Sequence, residues 1–121
     1  MRNPVKHELS GRILTERILG FAIRVHRALG PGLLESLYEE CLCHELANAA
    51  VSFTRQQPIP VVYDGVELEC GFRADIIVHG RVLVEIKSTD RFAPIHEAQI
   101  PTYLRVAKLK VGLLLNFIRH G

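Results

Sequence analysis

Phe72 to Lys87 reads FRADIIVHGRVLVEIK, two apolar runs joined by His79-Gly80. Short runs rich in Ile and Val, broken by a glycine-containing turn, predict two paired antiparallel strands. Side chains alternate faces along a strand, and directly opposed residues share a face. A two-residue loop at His79-Gly80 would set Asp75 opposite Val84 and Glu85 opposite Ala74, mixing charge with core on both faces. An odd loop, three residues from His79 to Arg81 or five from Val78 to Val82, sets Ile77 opposite Leu83, Asp75 opposite Glu85 and Arg73 opposite Lys87. One face then holds only Ala74, Ile76, Val78, Val82, Val84 and Ile86; the other carries Ile77 and Leu83, then the charged residues. A one-residue slip would flip every side chain, so the clean sorting selects the odd register. Opposed carboxylates repel by roughly 0.2–1 kcal/mol unless a cation lies between them. The pair therefore implies a divalent-metal site.

The rest of the chain must supply a fold that buries such a hairpin. Its 121 residues suit a single domain, residues 1–121, with a real core. An apolar fraction of 48% and a charged fraction of 23% exclude a disordered chain. The net charge of +2 permits a polyanionic partner without requiring one. No apolar run reaches the about 18 residues of a membrane span, and MRNPVKHELSGR lacks the apolar stretch of a signal peptide. These features predict a cytoplasmic protein. Cys41, Cys43 and Cys70 are odd in number and read as reduced thiols. Cys41-x-Cys43-His44 reads as ordinary helix, since two cysteines at that spacing point their sulfurs apart.

Leu14, Ile18, Phe21, Ala22, Val25 and Leu29 have the spacing of an amphipathic helix from about Ser10, a plausible N-cap, to Leu29. Gly30-Pro31-Gly32 ends it and turns the chain. A second helix from about Leu33 to Ala50 is expected to bury Leu34, Leu37, Cys41, Leu46 and Ala50 against the first. Residues 51–57, VSFTRQQ, read as an extended lead-in, and Ile59 to Tyr63 and Val66 to Cys70 flank the hairpin signal Asp64-Gly65. Gly71 marks a bulge or bend. After Lys87 a polar loop leads to a third helix begun at Pro94 and kinked at Pro101, followed by an apolar strand from Lys110 to Phe117. The predicted class is α/β, a sheet flanked by helices in the order α-α-β-β-β-β-α-β.

Three groups of residues can carry chemistry. Asp75 and Glu85 could bind magnesium or manganese together with the main-chain carbonyl of Ile86, because hard cations take oxygen ligands from one or two carboxylates and fill the rest with water and phosphate. Lys87, on the same face, could offset negative charge on a phosphate. Read alone, Glu85-x-Lys87 also fits a solvated face with a surface ion pair. Glu35 begins the second helix, where a carboxylate also suits the helix dipole, and shares a stripe with Tyr38 and Leu42. Gln99 and Tyr103, four apart, share a helix face beside His96 that could lie over the metal or simply pack as surface Gln and buried Tyr.

Gly32-Leu-Leu-Glu35-Ser-Leu-Tyr38, with FRADIIV, VEIKS and HEAQ followed by TYLR, resembles the GxxExxY family of the PD-(D/E)XK nuclease superfamily from about Ile18 to Phe117. The resemblance implies a restriction-endonuclease-like core with a mixed sheet, Asp75, Glu85, the Ile86 carbonyl and Glu35 around the metal, and Lys87 completing the Glu-x-Lys element. Gln99-x-x-x-Tyr103 resembles the Gln-x-x-x-Tyr element of RecB-like nucleases. Pro101 between those two residues, and an end at Gly121 short of the segment similar proteins carry, depart from the pattern. The implied activity is metal-dependent hydrolysis of phosphodiester bonds, in DNA before RNA. Gln99, Tyr103, Tyr38 and Arg73 would position the strand, aided by Arg105, Lys108 and Lys110. A domain this small covers few base pairs, which leaves room for a homodimer. The other reading is an inactive module of the same fold that binds nucleic acid or a protein.

Overall fold

The computed structural model describes residues 11–69, 72–90 and 94–118. The expected cap at Ser10, the bend at Gly71 and the thiol of Cys70 lie outside these residues.

Helix α1 (Gly11–Leu29) buries Leu14, Ile18, Ala22 and Val25, the stripe its spacing predicts. Gly30 follows at φ 74° and Gly32 at φ 87°, conformations that glycine adopts without steric cost. The Gly30 N–H donates to the His26 carbonyl at 2.8 Å, closing the last turn of α1.

Helix α2 (Glu35–Asn48) differs from its predicted phase: it buries Tyr38, Leu42, Cys43 and Leu46, while Leu34 is 77% and Leu37 42% exposed. Tyr38 explains the difference. Its ring stacks on Phe117 at 4.3 Å, its hydroxyl donates to the Gly30 carbonyl, and the Leu33 N–H donates to that hydroxyl at 3.1 Å. With both ends of the side chain satisfied, the tyrosine stripe becomes the core face.

The main sheet has strand order β1-β4-β5-β6: β1 (Phe53–Pro58), β4 (Arg73–Val78), β5 (Val82–Lys87) and β6 (Val111–Asn116). The VSFTRQQ lead-in is thus a paired edge strand, antiparallel to β4, which adds a fifth strand before the last helix. Strands β2 (Val61–Tyr63) and β3 (Val66–Leu68) form a separate two-stranded sheet around Asp64-Gly65. β5 and β6 are parallel, and α3 (Pro94–Ala107) makes the crossover that parallel neighbours require. α3 runs as one helix through Pro101. It lies close on β6: a Cβ added at Gly112 would come within 3.0 Å of Ile100 and 3.1 Å of Leu104. The architecture is the predicted one, a mixed sheet flanked by helices.

The odd hairpin register is present, with Ile76 opposite Val84, Ile77 opposite Leu83 and Val78 opposite Val82. The turn runs through His79 and Gly80 at φ 52° and 62°, and Arg81 N–H donates to the Val78 carbonyl at 2.9 Å. Ile76, Val78, Val82, Val84 and Ile86 join the core beneath α1 and α2; Ile77 and Leu83 join Ile59 and residues of α3 on the other face. Ala74 departs from the expected sorting and packs with Ile77 and Leu83. Its departure has a cause in β1.

Candidate active site

Pairing between β1 and β4 holds from Phe53–Val78 to Arg55–Ile76 and resumes at Gln57–Ala74, but skips Gln56 and Asp75. Gln56 has φ 49°, a left-handed conformation that bends a strand and shifts its alternation. Arg55 and Gln56 consequently reach the same residue, Glu39 of α2, while Thr54 and Gln57 bond to each other. Asp75 has turned with them, toward α2 and away from α3, where the unbroken alternation would have sent it. Ala74 has taken the α3 side.

At the same level β4 and β5 stop pairing: no ladder pair extends past Ile76–Val84. Carboxylates bridge the gap. Asp75 Oδ2 accepts the Ile86 N–H at 2.7 Å, and Glu85 Oε1 accepts the Asp75 N–H at 3.1 Å. Asp75 therefore lies level with Glu85, as the register required, but its main chain bonds the Glu85 carboxylate while its own carboxylate takes the main-chain N–H of Ile86.

Glu85 is only 8% exposed. Burial, and then the negative charge of Asp75, push its carboxyl up to about 7 from the usual 4.5; the hydrogen bond from Asp75 N–H and the charge of Lys87 pull the other way. Two carboxyl groups are held together here, one of them buried.

A cavity of about 350 Å³ opens beside this gap, lined by Glu35, Ser36, Glu39, Gln56, Asp75, Ile86 and Lys87. Ile86 has its side chain in the core, so it presents main chain to the cavity. Glu35 stands at the start of α2, and its Oε2 accepts the Ser88 N–H at 2.9 Å, tying the helix to the residue after Lys87. Asn116 fixes the next residue: Thr89 N–H donates to its Oδ1 at 3.2 Å and its Nδ2 donates to the Thr89 carbonyl at 3.1 Å. The structure thus brings Glu35, Asp75, Glu85, Ile86 and Lys87 into one neighbourhood.

The other candidate residues lie elsewhere. Tyr38 is fully buried with its hydroxyl committed to the turn. Tyr103 stacks on Phe72 at 3.6 Å within the α3-side core, and neither it nor Gln99 lines the cavity. Arg73 lines a different cavity with Pro58, Phe72 and Glu67. Arg105, Lys108 and Lys110 are exposed. A larger cavity of about 580 Å³ lies between α1, α2 and β1, against Val25, Leu29 and Phe53; it holds none of the candidate residues, and chemistry singles out the smaller one.

Three site residues went unnoticed in the sequence: Glu39, Arg55 and Gln56. Glu39 is buried, with Oε2 accepting from Arg55 Nη2 at 2.8 Å and Nε at 3.1 Å, and Oε1 accepting from Gln56 Nε2 at 2.8 Å. Its position four residues after Glu35 puts both acids on one helix face, a signal that was available. Nothing in VSFTRQQ announces the turn of Gln56.

Among the described residues, no group of three or more His, Cys, Asp or Glu side chains is arranged to hold a metal ion, and no helix is long and apolar enough to cross a membrane. The oxygen donors at the gap are two carboxylates, groups whose chemistry suits a hard divalent cation completed by water and phosphate.

A fold of mixed sheet and flanking helices, with Asp on one strand and Glu-x-Lys on the next where the strands part, defines a class. A family model for the PD-(D/E)XK nuclease superfamily matches residues 12–121, and the chain belongs to that superfamily. No curated protein and no solved structure matches it.

Proposed function

We propose that the protein is a GxxExxY-type member of the superfamily, carrying Gly32, Glu35 and Tyr38 in that pattern, and that it hydrolyses phosphodiester bonds in DNA with the help of magnesium or manganese. The observation that carries this reading is the convergence of Glu35, Asp75, Ile86 main chain and Lys87 on one open cavity at the point where β4 and β5 stop pairing.

Asp75, Glu85 and the Ile86 carbonyl, with Glu35 at the rim, are the residues that would hold the cation. When bound, such an ion polarises a phosphate oxygen and lowers the barrier to attack by water. The protein does the rest. The parting of the strands leaves Asp75 free of the ladder beside the open cavity, with Glu85 buried next to it. Ser88 N–H and Asn116 hold Glu35 and the chain after Lys87 in place, and Lys87 lines the same cavity, where its ammonium would stabilise charge gathering on the phosphorus-bound oxygens. The exposed Arg105, Lys108 and Lys110 would contact phosphates along the strand, and Gln99, Tyr103 and Arg73, outside the cavity, would belong to that outer contact.

The alternative is a non-catalytic module of the same fold. The absence of a three-ligand metal group among the described residues favours it. Cleavage of supercoiled, linear, branched and single-stranded DNA and of RNA, with magnesium or manganese, separates the two. Wild type is expected to cut, and Lys87→Ala to lose about 10²–10³-fold in rate, the range for removing one charge-stabilising donor. A Lys87→Ala protein that cuts as well as wild type would sink the mechanism, and binding without cutting would establish the module.

A further inference from the structure

Gln56 is exposed, polar and on an edge strand, yet its backbone occupies a conformation that L side chains rarely adopt. On a regular strand it would point away from Arg55. Instead both reach Glu39, and the Gln56 amide continues to Asp75, where Nε2 lies 3.2 Å from Oδ1 and 2.8 Å from Glu39 Oε1. A primary amide has two N–H donors, so one nitrogen can serve both carboxylates at once.

We propose that Gln56 is a positioning residue for Asp75. The left-handed backbone delivers its amide to the α2 face, the Arg55–Glu39 pair braces it, and the amide fixes one oxygen of Asp75 while Ile86 N–H fixes the other. Two anchored oxygens set the plane of the carboxylate. The choice of amide follows from the charges around it: an ammonium there would compete with a bound cation, and a carboxylate would add a further negative group beside Glu39 and Asp75. Glu39 itself is tied on both oxygens, to Arg55 and to Gln56, so it serves as a brace and not as a further ligand. The consequence for cation binding rests on the nuclease reading above; the orientation of Asp75 does not.

Gln56→Gly tests this, because glycine takes the left-handed backbone freely while removing the amide. Gln56→Asn, whose residue type also tolerates that backbone but is one methylene shorter, is the second variant should the first fold poorly. The expected result is a melting temperature at or above that of wild type, faster exchange and a shifted resonance for the Ile86 amide in metal-free protein, and manganese affinity weakened about 10–100-fold. A residue with only a structural role would lower the melting temperature instead. An Ile86 amide unmoved by the substitution, or manganese binding equal to wild type in a protein where Asp75→Ala abolishes it, overturns the proposal and leaves the metal site standing. An Ile86 amide released in the variant, with no manganese bound even by wild type, supports the positioning role and sinks the metal reading.

Discussion

The two ends of the β4–β5 pair are built on different physics. Toward the His79 turn the strands form an ordinary antiparallel ladder whose side chains divide between two cores. From Asp75 and Glu85 onward the ladder gives way to bonds between carboxylates and main-chain amides, Asp75 has changed faces, and a buried acid stands next to another acid. The first end is satisfied by ladder hydrogen bonds and apolar packing. The second keeps its polar groups paired by local hydrogen bonds and holds a buried acid that folding makes harder to ionise. Sites that bind ions or react are expected where local rules are broken in this way.

The contrast can be tested at each end. At the packed end, Leu42→Ala empties a fully buried position facing the sheet and should cost about 2–5 kcal/mol of stability in denaturant unfolding, with no selective effect on cation binding. A loss below 1 kcal/mol would mean that α2 is not packed as described.

At the polar end, stability should depend on pH. Glu85 holds its proton more tightly folded than unfolded, so its contribution is complete below about 4.5, declines as pH rises and is gone above about 7. At 1.36 kcal/mol per pKa unit the span is at most about 3 kcal/mol. Unfolding of metal-free protein measured from pH 4 to 8 should show this decline, and Glu85→Gln should flatten it. An unchanged profile in the variant would remove Glu85 as its source.

Between the two regions, Tyr38→Phe keeps the ring stack and deletes the bonds to Gly30 and Leu33, for an expected loss of about 1 kcal/mol. Tyr38 is buried, so the same variant should leave cation binding intact; a large drop in affinity would show that the Gly30-Pro31-Gly32 turn, through Glu35, shapes the site.

The same division governs how much could be read from the sequence. The hairpin register and the α1 stripe were legible because burial leaves a periodic apolar pattern. The α2 stripe was not, since Tyr38 counts as polar until its hydroxyl is given partners in the turn. β1 reads in the sequence only as an extended lead-in, because an edge strand with exposed side chains has no alternation to show. Asp75, Glu85 and Lys87 stood out as charges in an apolar setting, whereas the face Asp75 occupies depended on a left-handed Gln56 that no local signal marks. Glu39 was legible in principle, four residues from Glu35, but was hidden in a run of acids with Glu40.

The most direct test of the account is calorimetric titration of manganese into metal-free wild type and Asp75→Ala, beside plasmid cleavage by both. The account predicts one saturable site in wild type, lost in Asp75→Ala, together with manganese-dependent cutting only by wild type. Equal binding by the two proteins, or none by either, would contradict it and leave the parted strands a structural feature without an ion to serve.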